Sequence, residues 1–391
     1  MRHQRTAVAA AVMTTLVLLL SVSLVAAQPD VEFGPPRASG EFGEPVAFST
    51  EFRSAQTPLR VELLTRLPGA EDQVVELAQV APAGGNDWSA TVYRAGHIVP
   101  NTTWEYRFRV VTDEGSVTGP VASHTVSDTR HEWQMLAGDH VDVWWYEGDE
   151  AFGRRALGIA EEALASAATL LGVDDLEPVD FFIYADTRDF REAMGPATRE
   201  NVGGQAHPAI RTLFGLIEPR GIGSDWVEEL ITHELAHLVF HDAVDNAYQY
   251  PPRWLNEGLA VYLSRGYTRA DRTLVEGAAG GGTIMPLESL AGNFPTRVTR
   301  SGLAYAESVS AVDWFVDTYG EQRLVELITS FGAGSGLDDA FIAATGADFA
   351  SFDEAWLESL GARPPEAYGP REPEPGPTPA AWATEASALL G

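Results

Sequence analysis

Three of the nine histidines lie in one short stretch, residues 232–241, which reads THELAHLVFH. His233 and His237 are four positions apart, and on a helix this spacing brings two side chains to about 5–6 Å between their β-carbons. Two imidazoles at that spacing can converge on one cation at the zinc–nitrogen distance of about 2.0–2.1 Å. The alternative is a buried helix whose histidines are satisfied by hydrogen bonds, so a metal site requires a third ligand.

Glu234 completes the pattern H-E-x-x-H. Because each helical residue is rotated by about 100° from the one before it, a carboxylate next to His233 points away from the line of the two imidazoles. It can reach a water molecule at the cation without coordinating the cation itself. Glu234 is therefore a candidate base.

Glu257 is the candidate third ligand, twenty residues after His237 in the segment PPRWLNEGLAVYLS. A catalytic zinc takes three protein ligands and keeps one position open. Apolar spacing predicts helices over 224–241 and 253–265, the second beginning near prolines that are tolerated at a helix start. The loop DAVDNAYQYPP between them can reverse the chain direction, which would bring Glu257 to the cation. The alternative for a glutamate considered alone is a solvated side chain.

The H-E-x-x-H pattern followed by W-L-N-E-G at residues 254–258 resembles the gluzincin metallopeptidases, the thermolysin-like and aminopeptidase N-like group. The specific match is concentrated in residues 226–263, and the wider region 139–361 is similar to the bacterial peptidase MA-like domain. The resemblance implies that Zn²⁺ is the cofactor and that a peptide or protein is the substrate. It also assigns the site residues: His233, His237 and Glu257 as zinc ligands and Glu234 as the general base.

The same resemblance implies a donor to the oxyanion from a later helix, and Tyr305 in SGLAYAESVSAVDWFVDTYG is the candidate. Its alternative is a core tyrosine of an amphipathic helix. Aminopeptidases of this group carry a G-x-M-E-N segment, which none of the five methionines fits. We therefore expect an endopeptidase. An aminopeptidase-like exopeptidase and a non-catalytic zinc-containing surface protein remain as alternatives.

Further predictions concern the surroundings of the site. His241 lies one more helical turn along and should not reach the cation. Acidic residues are candidates to accept hydrogen bonds from the ligating imidazoles: Glu228, Glu229 and Asp242. The segment AIRTLFGLIE, residues 209–218, is predicted to be the edge strand that pairs with an extended substrate.

Residues 28–127 show short alternating segments separated by turn formers such as LPGAED and PAGGND, which predicts an antiparallel β-sandwich. The pattern resembles immunoglobulin or fibronectin type III domains. After residue 139 the period becomes that of a sheet followed by helices. The expected fold is thus multidomain: an immunoglobulin-like sandwich, then an α+β thermolysin-like zincin domain at 139–361 with a mostly helical C-terminal part.

The net charge of −30 argues against a nucleic-acid partner, since phosphate backbones attract basic surfaces. Residues 1–27 read as a signal peptide with a basic start and a long apolar run, which predicts secretion or a place in the bacterial cell envelope. Membrane attachment is expected only if that segment is uncleaved. Residues 362–391 form a proline-rich acidic tail. The sandwich is a candidate to bind a cell-surface partner, and with no cysteine the chain has no disulfides.

Overall fold

A computed structural model describes residues 30–196, 203–244, 246 and 248–362. The predicted signal peptide and all but the first residue of the predicted tail lie outside the described residues. The chain divides into two compact units. The first comprises the residues up to Gly96 together with Thr103–Thr125, and the second comprises the segment His97–Thr102 together with the residues from Val126 onward.

The described part of the first unit is built from β-strands. These are β1 (Val31–Phe33), β2 (Arg37–Ser39), β3 (Val46–Ser54), β4 (Arg60–Arg66), β5 (Val74–Leu77), β6 (Gln79–Gly84), β7 (Asp87–Arg94), β8 (Thr102–Thr112), β9 (Gly115–Thr118) and β10 (Ala122–Val126). One sheet has the order β1-β3-β7-β6 with β2 beside β3, and the other has the order β10-β8-β4-β5 with β9 beside β8.

Alternation of apolar side chains explains the burial of one face of each sheet. Along β3, Val46, Phe48 and Phe52 are buried, and along β8 the same holds for Tyr106 and Phe108. The rings of Phe48 and Tyr106 meet edge to face with centroids 5.0 Å apart, so the inner faces of the two sheets are in contact. The predicted β-rich first part of the chain is confirmed.

The second unit begins with a mixed sheet and continues with helices. Its strands are β11 (Gln134–Ala137), β12 (Val141–Trp145), β13 (Val179–Tyr184), β14 (Gly204–His207) and β15 (Thr212–Leu216). The order is β11-β12-β13-β15-β14. The three inner strands are parallel, and β11 and β14 pair antiparallel with their neighbours.

The edge-strand prediction was wrong. Residues 212–216 lie inside the sheet between β13 and β14, and the edge strand is Gly204–His207. The segment TLFGL is buried on both faces along most of its length, so its backbone requires a neighbour on each side. The more polar GQAH has one unpaired edge.

Two helices in the described part of the second unit lie between strands of the sheet in the sequence, and the others follow its last strand. The helices are α1 (Glu150–Leu171), α2 (Thr187–Met194), α3 (Asp225–Val244), α4 (Arg253–Arg265), α5 (Arg269–Gly280), α6 (Val298–Tyr319), α7 (Glu321–Gly332), α8 (Leu337–Thr345) and α9 (Phe349–Ser359). The helical C-terminal part is thereby confirmed. Helix α5 was not predicted, although Thr268 and Asp271 form a capping box that marks its start.

The segment His97–Thr102 is hydrogen-bonded to the sheet of the second unit. In the segment His97–Thr102, the Asn101 amide donates hydrogen bonds of 2.9 Å to both Asp180 and Thr212 of the second unit. Across the described residues, each helix is either too short or too polar to cross a membrane.

Candidate metal centre

Helix α3 presents the two histidines on the wall of a cleft. Asp225 and Glu228 lie in its first turn, where their negative charges stabilise the helix through its dipole. Val227, Ile231 and Leu235 are buried on its inner side. The helix extends three residues beyond the predicted end, which keeps His233 and His237 well inside regular helical geometry.

Helix α4 begins after a proline pair, with Pro252 in extended conformation at its N-cap. It packs closely against α6 at Gly258, where an added β-carbon would lie 2.5 Å from the carbonyl oxygen of Ser308. Only a glycine allows this approach. The contact fixes the helix that carries Glu257, the residue immediately before Gly258.

The three predicted ligand residues come together. The Nε2 atoms of His233 and His237 are 3.2 Å apart, and Oε2 of Glu257 lies 3.5 Å from each of them. Among the described residues, these three form the group of histidine and carboxylate donors that could share one ion, with all donor atoms within 4.8 Å. His241 is outside that group, as expected.

The donor set fits zinc. A tetrahedral ion at 2.0–2.1 Å from its ligands separates neighbouring donor atoms by roughly 3.3–3.4 Å. The observed separations of 3.2 and 3.5 Å match those edges. Carboxylate-to-imidazole distances of 3.5 Å are too long for good hydrogen bonds. The three atoms thus point at a common centre rather than at each other.

A second contact sets the orientation of His237. Its Nδ1 lies 2.8 Å from Oδ1 of Asn256, and the amide of Asn256 donates to the Tyr250 hydroxyl at 3.2 Å. When Nδ1–H donates to Asn256, the neutral form of the imidazole carries its lone pair on Nε2, toward the centre.

For His237, the predicted acidic partner was therefore wrong. Glu228 pairs instead with Arg155, and Asp242 pairs with Arg211. The partner is instead the amide of Asn256, the residue that directly precedes Glu257.

The carboxylate of Glu257 and the two imidazoles stabilise each other's charged forms. Burial would raise the pKa of Glu257, yet the two facing imidazoles hold that pKa well below its ordinary value. Burial would also lower the pKa of His237, but the Glu257 carboxylate outweighs it and raises the pKa to about 9. A buried anion beside two imidazoles is a site for a cation.

The candidate base Glu234 faces the sheet edge. Its Oε2 accepts a 3.0 Å hydrogen bond from the backbone N–H of Ala206 in β14. Gly204 makes room for this contact, since a β-carbon there would lie 2.8 Å from Cγ of Glu234. The edge strand and the carboxylate are thereby in direct contact.

Tyr305 lies beside the same centre on α6. Its ring centroid is 6.3 Å from that of His233 and 5.2 Å from that of Phe294. Tyr250, which was not predicted as a site residue, is a second phenol at the site.

These groups line a cleft of about 430 Å³. Its lining comprises Gly204, Gln205, Ala206, His207, Pro208, His233, Glu234, His237, Tyr250, Arg253, Asn256, Glu257 and Tyr305. One wall is the backbone of the edge strand and the other carries the candidate ligands. Such a cleft can accept an extended chain along β14.

Comparison with known proteins gives one family. The Peptidase MA superfamily matches residues 159–362, which is more than half of the 391-residue chain. The matched region contains the five candidate site residues and the helices that carry them. A search of curated proteins finds no significant match.

Proposed function

The chain belongs to the peptidase MA superfamily, and from this membership we propose that it is an exported zinc-dependent peptidase. The observation that carries the proposal is the convergence of His233, His237 and Glu257 beside the carboxylate of Glu234. Two imidazoles and one carboxylate leave an open position, as a catalytic zinc requires. We propose these three residues as the zinc ligands.

A zinc ion held there would supply Lewis acidity, which polarises a peptide carbonyl and makes water a better nucleophile near neutral pH. Glu234 takes a proton from the attacking water as its oxygen bonds to the carbonyl carbon. The carboxyl group then delivers that proton to the leaving nitrogen as the carbon–nitrogen bond breaks. Tyr305 donates a hydrogen bond to the carbonyl oxygen as negative charge develops on it.

The substrate is proposed to lie along β14. Gly203 faces the neighbouring strand, because its carbonyl accepts from Leu216 N–H at 2.7 Å. Since backbone groups alternate along a strand, those of Gly204 and Ala206 face the open edge. The Ala206 N–H already donates to Glu234, so an extended peptide can pair with the Gly204 groups and the Ala206 carbonyl and bring its backbone beside Glu234.

An endopeptidase is favoured over an aminopeptidase. Recognition of a free amino end requires a further carboxylate near the reacting bond. Among the described residues that line the cleft, the carboxylates are Glu234 and Glu257, and both already have roles. A non-catalytic zinc protein is disfavoured, since a structural zinc site prefers four protein ligands and has no need of a base.

The first unit is proposed to be an immunoglobulin or fibronectin type III-like module. The side strands β2 and β9 are left out and the other strands are lettered in chain order. The sheet β1-β3-β7-β6 then corresponds to A-B-E-D, and the sheet β10-β8-β4-β5 corresponds to G-F-C-C′, the arrangement of that fold. Such a module can engage a partner at the cell surface. Together with the predicted signal peptide, it supports a site of action outside the cytoplasm.

The proposal is tested by metal analysis and by digestion of a peptide library derived from a proteome. We expect about one zinc per chain. We also expect internal cleavages in peptides with blocked ends. Glu234→Gln should retain the zinc and lose hydrolysis, while Glu228→Gln, an exposed change on the same helix, should behave as wild type. Cleavage at the wild-type rate by Glu234→Gln would refute the assigned base, and action only on free amino ends would favour the aminopeptidase.

A further inference from the structure

The two oxygens of the Glu257 carboxylate have different surroundings. Oε1 accepts from Nε and Nη2 of Arg253 at 3.1 and 2.9 Å. Oε2 is the atom that lies 3.5 Å from Nε2 of both His233 and His237. One oxygen is therefore held by a guanidinium group, and the other faces the proposed metal position.

Arg253 is itself fixed in place. It lies one helical turn before Glu257, and its backbone N–H donates to the carbonyl of Ala291 at 2.9 Å. Its guanidinium carbon lies 5.1 Å from the ring centroid of Phe294, a buried residue. The stacked ring and the helix together restrict where the guanidinium can go.

A carboxylate can bind a cation through one oxygen or through both. Two charge-assisted hydrogen bonds to Oε1 occupy that oxygen, which leaves the lone pairs of Oε2 for the cation. The positive charge of Arg253 also compensates for the burial of Glu257, whose exposed fraction is 7%. The third ligand is thus oriented before any metal binds.

We propose that Arg253 is a positioning residue that presents Glu257 as a one-oxygen ligand. The inference rests on the proposed function, because it takes Glu257 as the third ligand. It adds a residue outside the H-E-x-x-H and W-L-N-E-G patterns whose chemistry determines how tightly the metal is held. Arg253 touches the ligand and not the reacting atoms.

The same helix offers a matched control. Arg265 pairs with Asp271 at 2.6 and 3.1 Å, and side-chain exposures of 28% and 6% resemble the 33% and 9% of Arg253 and Glu257. Asp271 belongs to the capping box of α5 and not to the cleft. Removing Arg265 therefore disrupts a comparable ion pair without touching the proposed ligand.

The experiment uses the full chain with metal removed, as wild type and as Arg253→Met, Arg253→Lys, Arg265→Met and Glu257→Ala. Zinc affinity is measured by competition with a chromophoric chelator. Coordination is measured by the visible absorption of the Co²⁺ form, which weakens when four-coordinate cobalt gains a fifth ligand atom. Circular dichroism of each metal-free variant reports whether it is folded.

We expect Arg253→Met to lose about 10–100-fold in zinc affinity and to show a weaker cobalt spectrum, with Arg253→Lys in between. Arg265→Met should match wild type in both. Wild-type affinity and spectrum in Arg253→Met would overturn the inference, as would an equal loss in Arg265→Met. Wild-type affinity in Glu257→Ala would instead refute the third ligand, and with it the proposed site.

Discussion

Gly258 of α4 lies directly against the backbone of Ser308 in α6, and a β-carbon at position 258 would be 2.5 Å from the Ser308 carbonyl oxygen. Contacts this short do not occur between real atoms, so any side chain at 258 must separate the two helices. Glu257 is the adjacent residue on α4. The distance between α4 and α6 therefore controls the position of the proposed third ligand.

Gly258→Ala should cost about 1–3 kcal/mol in the free energy of unfolding and should weaken zinc binding, because α4 must move away from α6. Denaturant unfolding and chelator competition measure the two effects. The control is Gly158→Ala in the middle of α1, where the added β-carbon meets nothing within 4 Å. That change should stabilise the protein by about 0.5–1 kcal/mol. An unchanged zinc affinity in Gly258→Ala would contradict the inference that the distance between α4 and α6 controls zinc binding.

Gly204→Ala should impair turnover more than folding. The new β-carbon would lie 2.8 Å from Cγ of Glu234, and that flexible side chain must shift away from Ala206 N–H. A misplaced base reduces kcat, here by about 10–100-fold, with little change in zinc affinity. Gly203→Ala is the control, since its β-carbon would lie at an ordinary 3.5 Å from Leu230. Equal kcat in the two variants would argue against this role of Gly204.

Tyr305→Phe should reduce kcat by about 10²-fold and leave KM and zinc content close to wild type, because the proposed hydrogen bond strengthens only as charge develops. Steady-state kinetics on one library-derived peptide measure kcat and KM separately. Tyr319→Phe on the same helix should have no effect. If Tyr250→Phe were impaired and Tyr305→Phe were not, the donor would be Tyr250, which also lines the cleft.

The buried carboxyl group of Glu307 on α6 should make the free energy of unfolding depend on pH. It is fully buried, and burial raises its pKa from 4.5 to about 8, with a smaller increase from Asp353. The Met285 N–H, which donates to Oε1 at 3.0 Å, and the charge of Arg300 act in the opposite direction. The folded protein therefore holds a proton on Glu307 at pH values where the unfolded chain has released it.

Because its folded pKa is above its unfolded pKa, Glu307 destabilises the fold progressively as the pH rises from about 4.5 to about 8. Glu307→Gln should remove this contribution, so the unfolding free energy of the variant should gain on wild type by roughly 1.4 kcal/mol per pH unit across that window. Urea unfolding at several pH values measures it. The exposed Glu326→Gln should leave the slope unchanged. Parallel pH profiles for wild type and Glu307→Gln would exclude a buried neutral carboxyl.

Local pattern predicted much of the fold and part of the site. The i, i+4 spacing of His233 and His237 depends only on helix geometry, so the sequence was sufficient to place them together. Alternation predicted the strands of the first unit, but strand order depends on contacts between distant segments. The prediction that TLFGL is an edge strand was wrong for the same reason. Whether a strand lies inside a sheet or at its edge depends on which distant strands pair with it.

The contacts of the site that sequence could not supply are tertiary. Asn256 lies next to Glu257 on α4, yet nothing in its spacing says that it bonds to His237. The i, i+4 spacing of Arg253 and Glu257 favours an ion pair, but the spacing does not say that the pair uses Oε1 and leaves Oε2 toward the two histidines. Helix α5 was not predicted because few of its residues are buried, namely Asp271, Val275 and Ala278. Its capping box was the available signal.

The short segment His97–Thr102 has a practical consequence for dissecting the chain. An expression clone that starts at Val126 would delete Asn101, leaving Asp180 and Thr212 without the amide that now bonds to both. The second unit cannot therefore be excised intact by a single cut in the gene. A stand-alone version has to supply this peptide again, either as a grafted linker or added in trans.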